Sequence, residues 1–209
     1  MTLRIEAFPG GPFETNTYLV ADLESGEALV IDAAQETAQA VKAAAAERGW
    51  TVGRIVITHS HWDHIADAVA MKAALGAPVV APTGAEAALA EPGSFFGDLD
   101  FAIPPVVPDQ TVGEGDEIAL GGHRFDILHL PGHEPYHIAL HEPAAEVLLS
   151  GDVLFPNGHG RTDLPGADQD AMNRSLRRLR GLPEGTTVYP GHGAPTTIGA
   201  ERGWLADVP

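Results

Sequence analysis

Apolar positions recur along this chain with two different periods, and the changes of period mark its elements. Alternation at Leu3-Ile5-Ala7, the β-rich run Asn16-Thr17-Tyr18-Leu19-Val20-Ala21 and the continuous run Ala28-Leu29-Val30-Ile31 predict three strands. Gly10-Gly11-Pro12 and Asp22-Leu23-Glu24-Ser25-Gly26 read as the turns between them. An Ala-rich helix over 35–48 follows, then a buried-type strand Arg54-Ile55-Val56-Ile57 and a helix over 65–75 stopped by Gly76 and Pro78. A short strand Pro78-Val79-Val80-Ala81 and a helix over 83–90 complete a β-α-β-α alternation, the mark of a layered α/β fold (α+β in some schemes).

Residues 91–109 are rich in Pro and Gly and carry Phe95-Phe96 and Phe101, which reads as a long loop walling a pocket. The aromatic pair serves either as a substrate contact or as a local loop core. Strands then resume at 117–120, 123–130 after a Gly121-Gly122 turn, 136–141 and 146–149, as an antiparallel series. A helix over 169–180 and a strand over 186–189 close the pattern. No linker or low-complexity stretch separates the halves, so the expectation is one domain over residues 1–209.

Composition narrows the class. Hydrophobic residues make up 44% of the 209, enough for a substantial core. Twelve Lys+Arg against 29 Asp+Glu give a net charge of −17, which repels phosphate backbones and anionic lipid. Neither a nucleic-acid nor a membrane partner is expected; oligomeric state is not legible. There is no cysteine, so any metal must be held by His, Asp or Glu. No leader or spanning run is apparent, and the chain reads as a cytoplasmic protein.

The candidate chemistry sits where strands end. Thr58-His59-Ser60-His61-Trp62-Asp63-His64 follows the strand at 54–57 and packs three imidazoles and a carboxylate into six residues. Neutral imidazole and ionised carboxylate suit borderline divalent metals. His59 and His61, two apart, point to one side of an extended segment, while Asp63 and His64 aim at a second point as the chain turns. His133, Asp152 and His192 each follow a glycine at the end of another strand. The set divides into His59, His61 and His133 on one side and Asp63, His64 and His192 on the other, with Asp152 able to bridge. Asp32 ends a strand and serves either as a helix N-cap or as a carboxylate beneath the histidine loop. Among the other histidines, His129 reads as strand packing and His123 and His141 as solvated.

These motifs, with Pro131-Gly132-His133, Ser150-Gly151-Asp152-Val153-Leu154-Phe155, Gly160-Arg161-Thr162-Asp163 and Pro190-Gly191-His192-Gly193, resemble the metallo-β-lactamase-fold superfamily, in particular its short glyoxalase II-like (hydroxyacylglutathione hydrolase-like) hydrolases. The resemblance implies a four-layer αβ/βα sandwich with two divalent ions at one edge, most readily zinc, with iron or manganese as alternatives. It assigns His59, His61 and His133 to one ion and Asp63, His64 and His192 to the other, with Asp152 bridging. It further implies hydrolysis of a small acyl-thiol substrate, a metal-bound hydroxide attacking the carbonyl and Asp63 orienting it. Such paired ions lie about 3.5–4 Å apart and lower the pKa of water to about 7. His137 and His159 are pocket candidates, and Arg161 and Asp163 resemble a pair that braces the ligand loops.

Departures from the family pattern bear on substrate. The helical domain with which full-length glyoxalase II proteins grip glutathione is not expected after His192. Glu134 and Tyr136 stand where the family usually has Thr or Ser. A mononuclear-iron persulfide dioxygenase is the alternative enzyme, its iron held by positions matching His59, His133 and Asp152. Its relatives usually lack the Trp before Asp-His and carry Pro-Ala-His in place of Pro190-Gly191-His192. A non-catalytic metal-binding protein is the alternative from another class.

Overall fold

Two six-stranded sheets lie face to face in the computed structural model, which describes residues 2–93 and 101–209. The first contains β1 (Leu3–Gly10), β2 (Thr15–Asp22), β3 (Glu27–Ile31), β4 (Thr51–Val56), β5 (Val79–Pro82) and β6 (Gln110–Val112), in that spatial order. Between its strands run α1 (Ala38–Arg48), α2 (Trp62–Ile65), α3 (Ala68–Leu75) and α4 (Glu86–Ala90). The second sheet contains β7 (Glu117–Leu120), β8 (His123–His129), β9 (Ile138–Glu142), β10 (Val147–Gly151), β13 (Thr187–Pro190) and β14 (Thr196–Thr197). A two-stranded hairpin of β11 (Leu154–Phe155) and β12 (Gly158–His159) stands apart. The last helices are α5 (Gln169–Leu179) and α6 (Ile198–Leu205).

Side-chain parity explains the layering. On β2, Tyr18 and Val20 face the second sheet, packing with Phe125, Ile127, Leu140 and Leu149. Leu19 and Ala21 face the other way, onto Val41 and Ala45 of α1 and Met71 of α3. All eight residues of β2 are therefore buried, as befits a strand covered on both faces. The outer face of the second sheet is covered by α5 and α6 through Met172, Leu176, Leu179, Ile198 and Leu205. This is the four-layer αβ/βα sandwich of the metallo-β-lactamase fold. Asp168 starts α5 by accepting from Ala171 N at 2.8 Å, and Gly49 ends α1 at φ 69°, where a side chain would be strained.

Where expectation and structure differ, a neighbouring element decides. β1 runs on to Gly10 because β2 pairs with it throughout, to Gly10 opposite Thr15. The helix expected at 65–75 is two: α2 begins at Trp62, and α3 restarts at Ala68 after Asp67, whose carboxylate caps Ala38 N of α1. The helices expected at 35–48 and 83–90 start later, at Ala38 and Glu86. β6, the β11–β12 hairpin, β14 and α6 have no strong local pattern and form because an edge or a core face accepts them. Phe95 and Phe96 lie outside the described residues.

Three histidine readings are corrected. His123 is buried, its Nδ1 3.0 Å from Glu142 Oε1, and His141 is buried within β9, where the strand is covered on both sides. His129 is the exposed one of the three, its Nε2 2.8 Å from Pro135 O. Replacing His141 with alanine should therefore lower stability by about 0.5–3 kcal/mol, the usual range for a destabilising single substitution, while leaving turnover of fully metal-loaded protein unchanged. Denaturant titration beside an activity assay checks both halves. No described helix is long and apolar enough to cross a membrane.

Candidate metal centre

Five strands deliver their C-terminal ends to one edge of the sandwich: β3 to Asp32, β4 to the histidine loop, β8 to His133, β10 to Asp152 and β13 to His192. Antiparallel strands bring their N-terminal ends to the same edge, so Thr15 of β2 and His137 before β9 arrive there too. Ile138 N donates to Thr58 O at 2.9 Å, tying the second sheet to the histidine loop of the first.

Donor atoms of all seven sequence-predicted ligands converge there. His59, His61 and His133 form one group, Asp63, His64 and His192 a second, and His59, His64 and Asp152 a third, each with ligand atoms within 4.8 Å of one another. His64 Nε2 lies 3.4 Å from both Asp63 Oδ2 and Asp152 Oδ1. His192 Nε2 lies 3.3 Å from Asp63 Oδ2 and 3.4 Å from Asp152 Oδ2, and His133 Nε2 3.5 Å from Asp152 Oδ2. A charge-assisted hydrogen bond prefers about 2.7–2.9 Å. Ligands about 2.0–2.1 Å from a shared tetrahedral ion sit roughly 3.3–3.4 Å from each other. The spacing is that of ligands around a common ion. Among the described residues, His59 Nε2, His64 Nε2, His133 Nε2 and Asp152 Oδ1 are buried with no hydrogen-bond partner, which fits a candidate metal site.

The far side of four of the five candidate ligand rings, those of His59, His64, His133 and His192, is tied down, which orients the lone pair inward. His64 Nδ1 is 2.7 Å from Asp32 Oδ2, His133 Nδ1 2.8 Å from Arg161 O, and His192 Nδ1 3.0 Å from Phe13 O. His59 Nδ1 lies 3.0 Å from Thr58 Oγ1, which itself donates to Asp32 Oδ2 at 2.9 Å. Asp32 Oδ1 also accepts Thr58 N at 2.7 Å. Of its two sequence readings, Asp32 takes the carboxylate beneath the loop, and α1 is not capped by it. It does so from a left-handed backbone, φ 59°, a conformation uncommon for a residue with a Cβ.

Electrostatics follow from this crowding. Burial holds His59 well below the ordinary imidazole range and brings His61 down to about 3, helped by neighbouring rings, so both are neutral donors at pH 7. Burial works against the charged form of Asp63, yet His64 and His192 bring it down to about 2. Burial also opposes protonation of His192, yet Asp152 and Asp63 lift it to about 10. His64 is pushed up likewise by Asp63 and Asp152 against its burial. The two carboxylates thus draw positive charge to the centre, the role a divalent cation fills.

His137 is buried, stacked on His59 with ring centroids 4.7 Å apart, and accepts Asp152 N at 3.0 Å, so it positions Asp152. His159 lines the cavity, its Nδ1 2.7 Å from Gly160 O. Arg161 braces His133 through its backbone oxygen while its side chain pairs with Asp163. Glu134 is turned to structure: it accepts Ser60 Oγ at 2.9 Å and Tyr136 N at 2.8 Å, holding the histidine loop. Thr15, which donates to Asp63 Oδ2 at 2.7 Å, was not singled out in the sequence. Nor were Asn16 and Tyr18, whose side chains bind Pro190 O and hold the His192 loop. Their only signal is polar groups opening an otherwise apolar strand. A cavity of about 670 Å³ opens above the centre, between Phe13, Phe155 and Leu164.

Comparison with known proteins agrees with this architecture. The model of the metallo-beta-lactamase superfamily matches residues 10–192. The chain belongs to that superfamily. Among relatives of this metallo-beta-lactamase-superfamily chain, hydroxyacylglutathione hydrolase GloC of Haemophilus influenzae is 33% identical, covering 96% of this chain and 95% of that one. The BLEG-1 B3 metallo-beta-lactamase structure superposes with TM-score 0.85 at 31% identity, over 95% of this chain and 96% of that one. TTHA1623 in a di-iron-bound form gives 0.76 at 37% identity, over 94% and 96%. ETHE1 from Myxococcus xanthus gives 0.77 at 29%, over 98% and 84%. The superfamily is one of metallo-hydrolases, and its His/Asp cluster for a binuclear site is present here.

Proposed function

We propose that this chain hydrolyses small acyl thioesters in the manner of glyoxalase II, with His59, His61 and His133 holding one divalent ion, Asp63, His64 and His192 a second, and Asp152 shared. The observation that carries the reading is the convergence of seven donors in groups within 4.8 Å, five of them 3.3–3.5 Å from another donor, beneath an open cavity that His61, Asp63, His133, Asp152 and His192 line. Bound ions supply an activated water and a Lewis acid for the substrate carbonyl. Zinc is the assignment we favour; iron and manganese accept the same donors.

The protein's own part is positioning. Thr15 holds Asp63 Oδ2, and we assign the other oxygen, Oδ1, to accept the proton of the attacking water. Asp32, through His64 and Thr58, keeps both halves of the centre in register. A thiol leaving group with a pKa of about 8.5 departs without a strong general acid, which favours thioesters over amides. The proposal covers one domain over residues 1–209, working in the cytoplasm, where thiol carriers are kept reduced.

The test is a panel: S-lactoylglutathione and related thioesters, a β-lactam, and glutathione persulfide with oxygen, each against zinc-loaded and iron-loaded protein. Thioester cleavage by the zinc form is expected, with little oxygen uptake. Rapid oxygen uptake by the iron form, together with no thioester cleavage by any metal form, overturns the reading in favour of a dioxygenase.

A further inference from the structure

We propose that Glu201 is a positioning residue for substrate: through three hydrogen bonds it fixes the tip of the β11–β12 hairpin, which carries Phe155 and His159 into the cavity wall. The inference rests on the thioesterase reading and says what sets substrate affinity at that same site.

The hairpin has little of its own to hold it. It forms a separate sheet with two residues in each strand, and a lone two-stranded hairpin is marginal in water. Leu154 roots the first strand in the core beside α5 and α6, whereas Phe155 and His159 are half-buried and line the cavity. At the tip, Asn157 takes a left-handed backbone, φ 61°, and its N–H donates to Glu201 Oε2 at 2.6 Å. The same oxygen accepts Trp204 Nε1 at 2.6 Å, and Oε1 accepts Thr196 Oγ1 at 2.5 Å. Trp204 in turn sets its ring beside His159, with centroids 6.4 Å apart. Glu201 is only 3% exposed. Burial works against its charge, yet the three donors hold it below the ordinary carboxylate value. Starting α6 does not need this carboxylate, because Thr197 caps that helix by accepting Ala200 N at 3.1 Å. The last metal-binding loop does not need it either. His192 Nδ1 lies 3.0 Å from Phe13 O, and Asn16 Nδ2 donates to Pro190 O and Gly193 O, both at 3.0 Å. What depends on Glu201 is the hairpin tip.

Losing those bonds should therefore weaken substrate binding and leave the metal and the chemical step alone. In metal-loaded Glu201→Leu, KM for S-lactoylglutathione should rise about fourfold or more, roughly the cost of one methylene of apolar contact, with kcat and metal content within about twofold of wild type. Glu201→Gln can still accept both N–H donors on one oxygen and donate to Thr196, so its KM should stay near that of wild type. In protein already carrying Phe155→Ala and His159→Ala, adding Glu201→Leu should change KM by less than about twofold, because the wall it positions is gone. Hydrogen exchange over residues 154–159 should quicken about tenfold or more in Glu201→Leu and stay unchanged over 59–64. If Glu201→Leu does not fold, Glu201→Asp takes its place with the same expectations, its carboxylate being one methylene too short to meet all three donors. The inference is overturned by an unmoved KM, by a rise as large when Phe155 and His159 are absent, by Glu201→Gln matching Glu201→Leu, or by metal content and kcat falling in step; each leaves the thioesterase reading standing. If wild type cleaves no thioester with any metal, that reading falls instead, and the exchange rates decide the hairpin claim alone.

Discussion

Asp152→Ala is expected to strip the protein of at least one of its ions and to lower thioester hydrolysis by about 10³-fold or more, since nucleophile activation and carbonyl polarisation are lost together. The reason is position. Asp152 faces His64 through Oδ1 and His133 and His192 through Oδ2, so a single carboxylate touches both halves of the centre. Removing it leaves the buried imidazoles of His59, His64 and His133 around a site short of negative charge. Elemental analysis of the loaded variant and a thioester assay read the two effects separately. Metal content and activity both equal to wild type would show that Asp152 is no shared ligand. A protein that stably holds one ion, with His192→Ala unchanged in content, would sink the two-ion reading.

Gly191→Ala should be nearly as damaging, though it removes no ligand. A Cβ there would lie 2.1 Å from Asp152 Oδ1 and 2.7 Å from His64 Cε1. Contacts that short cannot be kept, and both neighbours are held, His64 by Asp32 and Asp152 through its backbone by His137. The carboxylate must swing off its position by an ångström or more, a displacement that costs on the order of 10²-fold in activity. We expect that loss together with weaker metal retention on dialysis against a chelator. Global stability should fall less than in a core truncation. Unchanged kcat and metal content would mean that the close approach of the His192 loop to the shared carboxylate is not what shapes the site. The result also bears on the dioxygenase-like pattern, in which alanine stands at this place in the motif.

Much of the candidate site was legible because its chemistry is local or sits at strand ends. Four of the seven donors lie within residues 59–64, and their spacing alone splits them between two points. Each of the other three follows a glycine at the end of an apolar run, which a strand pattern exposes. The layered fold was legible for a related reason: β3, β10 and β2 from Tyr18 to Ala21 carry apolar residues at successive positions, as strands covered on both faces do.

What the sequence by itself determined was therefore the set of candidate donors, the alternation of strands and helices, and the net acidity of the chain. The tertiary structure decided everything that depends on which strand lies beside which. Asp32 became the carboxylate under His64 and Thr58 because β3 runs parallel to β4 and ends level with it. Thr15 reached Asp63, and Asn16 and Tyr18 reached the Pro190 carbonyl, because β2 runs antiparallel to β3 and starts at the same edge. His141 looked solvated beside a turn, yet it is buried because β9 lies inside the second sheet, between β8 and β10. Burial and second-row hydrogen bonds are pairwise properties of distant segments, set by packing, and no local period in the chain encodes them.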